Sequence, residues 1–201
     1  MKQPIVVCGV VSALMGSTGL AQPLRVDLVF DRTEVMVGET VEATLVATIS
    51  AFEGSYFSSI SANLIASDAS LGLASTMSGL DWGMPALGAI QTGTPSGASL
   101  MGIFAAQYSL FGPVDFSNPF VIGRFTVETT GVGQLTYSVT RANAAPGVFS
   151  FSSDNCGPFD CGGYSESFTS QTVMIRPVPA PASVGLGLAM MSLATRRRSR
   201  A

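Results

Sequence analysis

The chain has 201 residues, 47% of them hydrophobic and only 11% charged, with a formal net charge of −3 and no histidine. Its single lysine, Lys2, lies in the first few residues, so Ser-His-Asp, Cys-His and Ser-Lys arrangements are excluded from the body of the protein. Without the two ends the body carries five arginines against thirteen carboxylates, a net of −8, which makes it a poor candidate for nucleic-acid binding, since that relies on phosphate neutralisation.

Residues 1–21 read as a secretory signal peptide. Lys2 supplies the positive start, residues 5–15 the apolar stretch, and Gly19-Leu20-Ala21 the small residues a signal peptidase reads, with cleavage expected between Ala21 and Gln22. Cys8 is a small apolar filler inside that leader.

The body, residues 22–176, alternates from its start. Val26, Leu28 and Phe30 share one face, with Asp27 and Asp31 opposite. Gly38-Glu39 predicts a turn. The cleanest strand follows: Val41, Ala43, Leu45, Ala47 and Ile49 point one way, and Glu42, Thr44, Thr48 and Ser50 the other. After Gly54, the residues Tyr56, Ser58, Ile60, Ala62 and Leu64 continue a two-residue period.

Residues 66–99 mix Gly, Ser, Met and Leu around Pro85 and Pro95. They predict one or two short strands in a long connection, pinned to the core by Trp82, the sole tryptophan, or by the leucines. A strand is expected over 100–111, ending at Gly112-Pro113. Val121, Gly123, Phe125 and Val127 alternate with Ile122, Arg124, Thr126 and Glu128. A turn at 130–133 and the face of Leu135, Tyr137 and Val139 then predict a hairpin. Short strands are expected over 148–151 and 168–175. Seven to nine strands, glycine-rich turns and no helical period predict an all-β antiparallel sandwich.

Cys156 and Cys161 are the two body cysteines. In an exported chain they are expected to close a small structural disulfide, stabilising by about 2 kcal/mol in the chain-entropy model. Four residues separate them, unlike the two of a redox motif. Asp154, Asn155, Asp160 and Glu166 surround that loop. They supply oxygen ligands of the kind that hold calcium, without EF-hand spacing, so a solvated acidic loop stands as the alternative; no other cofactor is expected. A carboxylate pair for glycoside hydrolysis would have to come from Asp27, Asp31, Glu39, Glu42 and Asp81, which fall on outward faces or turns. Tyr56, Phe57, Trp82, Tyr108 and Phe111 are the possible members of an aromatic platform for carbohydrate.

The tail, residues 177–201, has three parts. Val178-Pro179-Ala180-Pro181 is followed by an uncharged run over 182–195, then by Arg196, Arg197, Arg198 and Arg200. As a helix the run rises about 21 Å, short of the roughly 30 Å of a bilayer core. The arginines would stay on the cytoplasmic side and act as a stop. This layout resembles the PEP-CTERM family of C-terminal sorting signals, with Ala180 where the family has glutamate. The resemblance implies a bacterial protein that inserts transiently in the membrane and is processed by an exosortase-type membrane protease. The opening strand, the turn Val37-Gly38-Glu39-Thr40-Val41 into a long strand, and the later pair over 120–128 and 133–140 resemble cohesin-like and related immunoglobulin-like surface modules.

Together these readings predict a non-enzymatic, exported protein of the cell surface or extracellular matrix with a structural or interaction role. Its partners would be the processing protease and either surface proteins or extracellular polysaccharide. The alternative is a carbohydrate-binding module, and the third reading a carboxylate hydrolase.

Overall fold

The computed structural model describes residues 23–50, 53–143, 147–154, 162–165 and 167–179. The expected signal peptide with its Ala21/Gln22 cleavage site, the Cys156–Cys161 disulfide, Asn155, Asp160, Glu166, Ala180, Pro181, and the apolar run with Arg196, Arg197, Arg198 and Arg200 lie outside the described residues. Among the described residues, no helix is long and apolar enough to cross a membrane.

The strands are β1 (Leu24–Phe30), β2 (Glu34–Met36), β3 (Thr40–Ile49), β4 (Ser55–Ala66), β5 (Gly72–Ala74), β6 (Gln91–Ser96), β7 (Ser99–Ala106), β8 (Phe120–Thr129), β9 (Gly133–Leu135), β10 (Tyr137–Arg141), β11 (Phe149–Ser153), β12 (Gly163–Ser165), β13 (Phe168–Ser170) and β14 (Val173–Arg176). One sheet runs β13-β1-β3-β8-β5. The facing sheet runs β12-β11-β4-β7-β6, with β10 also paired to β4. A small third sheet, β2-β14-β9, closes one end. The architecture is a β-sandwich, antiparallel except where β13 joins β1 and β14 joins β2.

Alternation places the core where the sequence predicts it in β1 and β3. Val26, Leu28 and Phe30 are buried, and so are Val41, Ala43, Leu45, Ala47 and Ile49. These face Ile60, Ala62 and Leu64 of β4 and Leu100 and Ile103 of β7 in one cluster. A side chain that turns inward on such a face contributes about 1.5–3 kcal/mol when fully buried. The turn into β3 is made by Gly38, whose φ of +90° is unfavourable for any residue with a Cβ.

Four expectations are corrected. First, the phase of β8 changes midway. Leu45 pairs with Gly123 but Val46 pairs with Val121, so Ile122 is an extra residue in the ladder. Ile122 is therefore buried and Val121 is 46% exposed, the reverse of strict alternation. Second, β4 carries a similar irregularity. Ser59 pairs with Ser150 and Phe57 with Phe151, which puts Phe57 into the core and leaves Tyr56 buried outside the core cluster. Third, the predicted hairpin after β8 does not form. The turn at 130–133 leads the chain away, β9 pairs with β14, and β10 pairs with β4 of the opposite sheet. Fourth, the strand expected over 100–111 ends at Ala106, and the one over 168–175 is split at Gln171 and Thr172 into β13 and β14, which join different sheets.

The 66–99 stretch holds β5 and β6, as expected, and Leu71, Met77, Leu80 and Trp82 fix it to the core. The ends of the sandwich have distinct contents. At one end lie Leu24, Ile49 and Phe120, together with the 107–119 connection. At the other lie Gly38, Thr129 and Arg176. The ten residues of β3 separate these ends by about 30 Å.

Candidate functional site

The connection from β7 to β8 is not a loose loop, because polar side chains clamp it at three points. Gln107, 1% exposed, donates from Nε2 to the Phe57 carbonyl (2.7 Å) and accepts the Asp115 amide on Oε1 (3.1 Å). Asn118 acts as a surrogate strand neighbour for Ile49. Its Nδ2 donates to the Ile49 carbonyl at 2.7 Å, and its Oδ1 accepts the Ile49 amide at 3.1 Å. The Tyr56 hydroxyl accepts the Ser109 amide at 3.1 Å, and the Tyr56 ring meets Phe116 edge to face at 5.4 Å. Asp115 also accepts the Ser117 amide at 2.8 Å, and the Asn118–Pro119 peptide is cis.

These clamps hold apolar side chains in water. Leu110 is 84% exposed, Phe111 56% and Phe116 47%. A 3₁₀ turn, Ser109–Phe111, sets the first two, and Gly112-Pro113 turns the chain back. The opposite wall comes from residues 81–86. Trp82 donates from Nε1 to the Ile122 carbonyl at 2.7 Å. Its ring is wedged edge to face against Phe57 (5.6 Å) and Phe120 (5.3 Å). The Met84 amide bonds the Ala106 carbonyl at 2.7 Å, joining this wall to β7. Between the walls is an open groove of about 750 Å³, whose lining includes Trp82, Met84, Pro85, Phe111, Val114 and Phe116.

Among the described residues, its ionisable lining groups are the carboxylates of Asp81 and Asp115. Four arginines are paired elsewhere: Arg25 with Asp27 (2.8 Å), Arg32 with Asp31 (3.2 Å), Arg124 with Glu42 (3.9 Å) and Arg176 with Glu34 (2.7 Å). The hydrogen bond that Arg176 donates to Glu34, more than the charge of that carboxylate, raises the pKa of Arg176 above the ordinary arginine value. Away from the groove, hydrogen bonds from the Ser70 hydroxyl and amide lower the pKa of Asp68 below its ordinary carboxyl value.

The predicted aromatic platform is not assembled as a platform. Phe57 is core, Tyr56 lies beneath the loop, and Trp82 is half-buried, leaving Phe111 as its exposed member in the groove. Because the Trp82 ring and Nε1 are held by the core, Trp82→Ala would perturb folding as well as any binding. Tyr108 lines a second hollow of about 220 Å³ with Ser150, Phe151 and Tyr164. Beside it the hydroxyl of Ser150 bonds those of Ser58 (2.7 Å) and Ser59 (2.6 Å). This hydroxyl cluster has no histidine or lysine to activate it.

Of the five carboxylates considered for hydrolysis, Asp31 and Glu42 are cross-strand neighbours, and Glu42 is ion-paired with Arg124. Asp27 and Asp31 sit in the ion pairs above, and Asp31 also accepts the Glu42 amide at 2.9 Å. Glu39 accepts the Met36 amide at 2.9 Å, and Asp81 lies at the groove. Asp154, the described member of the calcium set, directly follows β11, where its amide faces the Gly54 carbonyl at 3.4 Å. Among the described residues, no three His, Cys, Asp or Glu side chains are grouped to hold a metal. Val178 and Pro179, the described residues of the expected sorting motif, are exposed beyond β14.

Sequence reasoning missed Gln107, Leu110, Asp115, Phe116 and Asn118. The available signal was an apolar stretch, Leu110-Phe111-Gly112-Pro113-Val114, that obeys neither a strand nor a helix period. Such a stretch either packs inward or stands exposed for a purpose.

No protein-family model matches the chain, and no curated protein is detectably similar to it in sequence. Among solved structures, it is similar to the seventh ScaB type I cohesin of Pseudobacteroides cellulosolvens, with 14% identity, 78% of this chain and 95% of that one covered, and a TM-score of 0.49. It is also similar to the second type II cohesin module of the ScaA scaffoldin of Acetivibrio cellulolyticus, with 13% identity, 81% and 100% covered, and a TM-score of 0.48. A third is a type II cohesin from a cohesin–X-dockerin complex of the same organism, with 13% identity, 76% and 99% covered, and a TM-score of 0.46. The likeness is one of architecture, and the strand pairing of this chain establishes that architecture independently.

Proposed function

We propose that this protein is a non-catalytic interaction module, exported and displayed at the cell surface or in the extracellular matrix. The observation that carries the interaction role is the groove. Leu110, Phe111 and Phe116 are kept in water by a loop whose buried polar clamps prevent it from folding them inward. Side chains of this type cost solubility when exposed, and exposed apolar patches of monomers mark binding surfaces. The export reading rests on the sequence of residues 1–21 and 177–201, including the PEP-CTERM-like order of motif, apolar run and arginines.

The test uses protein recovered from the surface fraction of its host, with intact mass and both termini mapped. A chain beginning at Gln22 and ending within 178–182 is the expected result. Retention of Arg196 to Arg200 would replace sorting by a plain membrane anchor. In the same cells, a Leu110→Ser/Phe111→Ser double variant should be secreted normally but lost from the matrix fraction. Equal retention of both proteins would refute the interaction role of the groove. A carbohydrate-binding reading is favoured by one feature, the hollow of Tyr108 and Tyr164 beside the Ser150 hydroxyl.

A further inference from the structure

We propose that the groove between residues 81–86 and 107–116 receives a protein segment whose apolar anchor side chains are flanked by lysine or arginine. The inference rests on the interaction reading above and names the chemistry of the partner. Three features of the groove carry it.

The first is what the groove lacks. Its lining is mostly apolar, and Gln107, its one amide side chain, is spent on Phe57 and Asp115. A saccharide needs several polar groups aimed at its hydroxyls and a flat ring face to stack on. Here Trp82 is held by its Nε1 bond and by two edge-to-face neighbours. The exposed surface is aliphatic Leu110 next to Phe111 and Phe116, which suits leucine or phenylalanine anchors.

The second is charge. Asp81 and Asp115 border the groove, and among the described residues no arginine or lysine lines it. No described hydrogen bond or ion pair occupies the Asp81 carboxylate, whereas four arginines of the body pair with carboxylates elsewhere. A positive side chain beside the anchor finds an uncompensated negative field there.

The third concerns a second copy of the same chain. Docking two grooves together would place Asp81 and Asp115 of each copy against those of the other, in a body that already carries a net charge of −8. Like charges opposed across an interface disfavour it. A cationic partner meets no such opposition.

The experiment titrates full-length protein with peptides sharing one Leu-Phe-Val-Leu core, flanked by lysines, by serines or by glutamates. Binding is read from the emission of Trp82, which lines the groove as the only tryptophan, and from the anisotropy of a labelled peptide. The lysine-flanked peptide should bind about tenfold tighter than the serine-flanked one at low salt, and the advantage should vanish at high salt. Phe111→Ser should weaken it about tenfold or more, and Asp81→Asn should remove much of the lysine preference. Both substitutions are at exposed positions, and an unchanged thermal melt verifies the fold.

Equal binding of the three peptides, or a glutamate preference, would overturn the proposal. Cello- or chito-oligosaccharides that bind in place of the peptides, and lose binding in Phe111→Ser, would overturn it while keeping the interaction role. So would a dimer in sedimentation that Phe111→Ser dissolves. Failure of peptides, saccharides and self-association together would overturn the interaction role as well.

Discussion

Replacing Gln107 by glutamate changes one buried nitrogen to oxygen and tests how the groove is held. In the native chain Nε2 donates to the Phe57 carbonyl, and Oε1 accepts the Asp115 amide. A neutral glutamic acid can reproduce both bonds, with its hydroxyl as the donor. An ionised glutamate has no donor and sets its charge against the Phe57 carbonyl at a site where the residue is 1% exposed. Burial therefore raises the folded-state pKa of the new carboxyl above its unfolded value of about 4.3. The contribution of such a group is present below the unfolded pKa and lost as pH rises toward the folded one. With a folded pKa of about 7, the loss is about 3.3 kcal/mol at pH 7 and approaches about 3.7 kcal/mol above it, at about 1.36 kcal/mol for every tenfold change in the ionisation constant. Urea unfolding of native and Gln107→Glu proteins, measured in parallel from pH 4 to pH 7.5, gives the difference directly. The two should lie within about 1 kcal/mol of each other at pH 4 and diverge by several kcal/mol at pH 7. A constant difference across that range would refute the role assigned to the Gln107 clamp. Gln107→Leu, which breaks both bonds at every pH, should be destabilised by about 2–4 kcal/mol without the pH dependence.

Two further outcomes follow from the same kind of reasoning. Tyr137 donates its hydroxyl to the Ala98 carbonyl at 2.6 Å, and burial pushes its pKa far above the usual phenol value. Its contribution is thus complete below about pH 10 and falls by about 1.4 kcal/mol per pH unit above that, while the unfolded chain ionises. Tyr137→Phe should be less stable by about 1–3 kcal/mol at pH 8, and that deficit should shrink in denaturant series taken above pH 10; a constant deficit would count against it. At Gly97 the φ is +59° and an added Cβ would collide with the Ala69 carbonyl, whereas at Gly38, φ +90°, it would meet open space. Gly97→Ala should therefore cost at least about 2 kcal/mol and exceed the cost of Gly38→Ala, as compared by thermal melts; equal costs would show that the collision is relieved elsewhere.

How much of this was legible in the sequence depends on how local the determinant is. The faces of β1 and β3 follow from alternation alone, because the ladder between them keeps one register throughout and that of β3 with β8 keeps one from Thr40 to Leu45, up to the point where Val46 meets Val121. That point could not be read, since a bulge is a property of two strands together: Ile122 is inward only because β3 skips it. The missing hairpin has the same origin. A glycine-rich turn is compatible with return to the same sheet or passage to the other, and the pairing of Leu135 with Val173 decides it from far along the chain. The groove was legible only in part. Trp82 and Phe111 stood out by type, but Gln107 and Asn118 are ordinary polar residues until their partners, Phe57 and Ile49, are brought beside them by the fold. By sequence Tyr56 and Phe57 group with the candidate platform aromatics, because adjacent aromatics carry no sign of their side, and the irregularity at Ser58 separates the core from the loop contact.

The last described strand has a mechanical meaning. β14 runs toward the end of the sandwich opposite the groove and lies between β2, parallel to it, and β9. Suppose a load is applied between a partner seated in the groove and residues beyond Pro179. The pull then acts along the axis of β14, and the ladder bonds of Met174 and Ile175 to both neighbours bear it together. They are sheared as a set and do not open one after another from an end. A module placed in series with a tether would in this way resist extension most strongly in the direction in which a bound partner would draw on it.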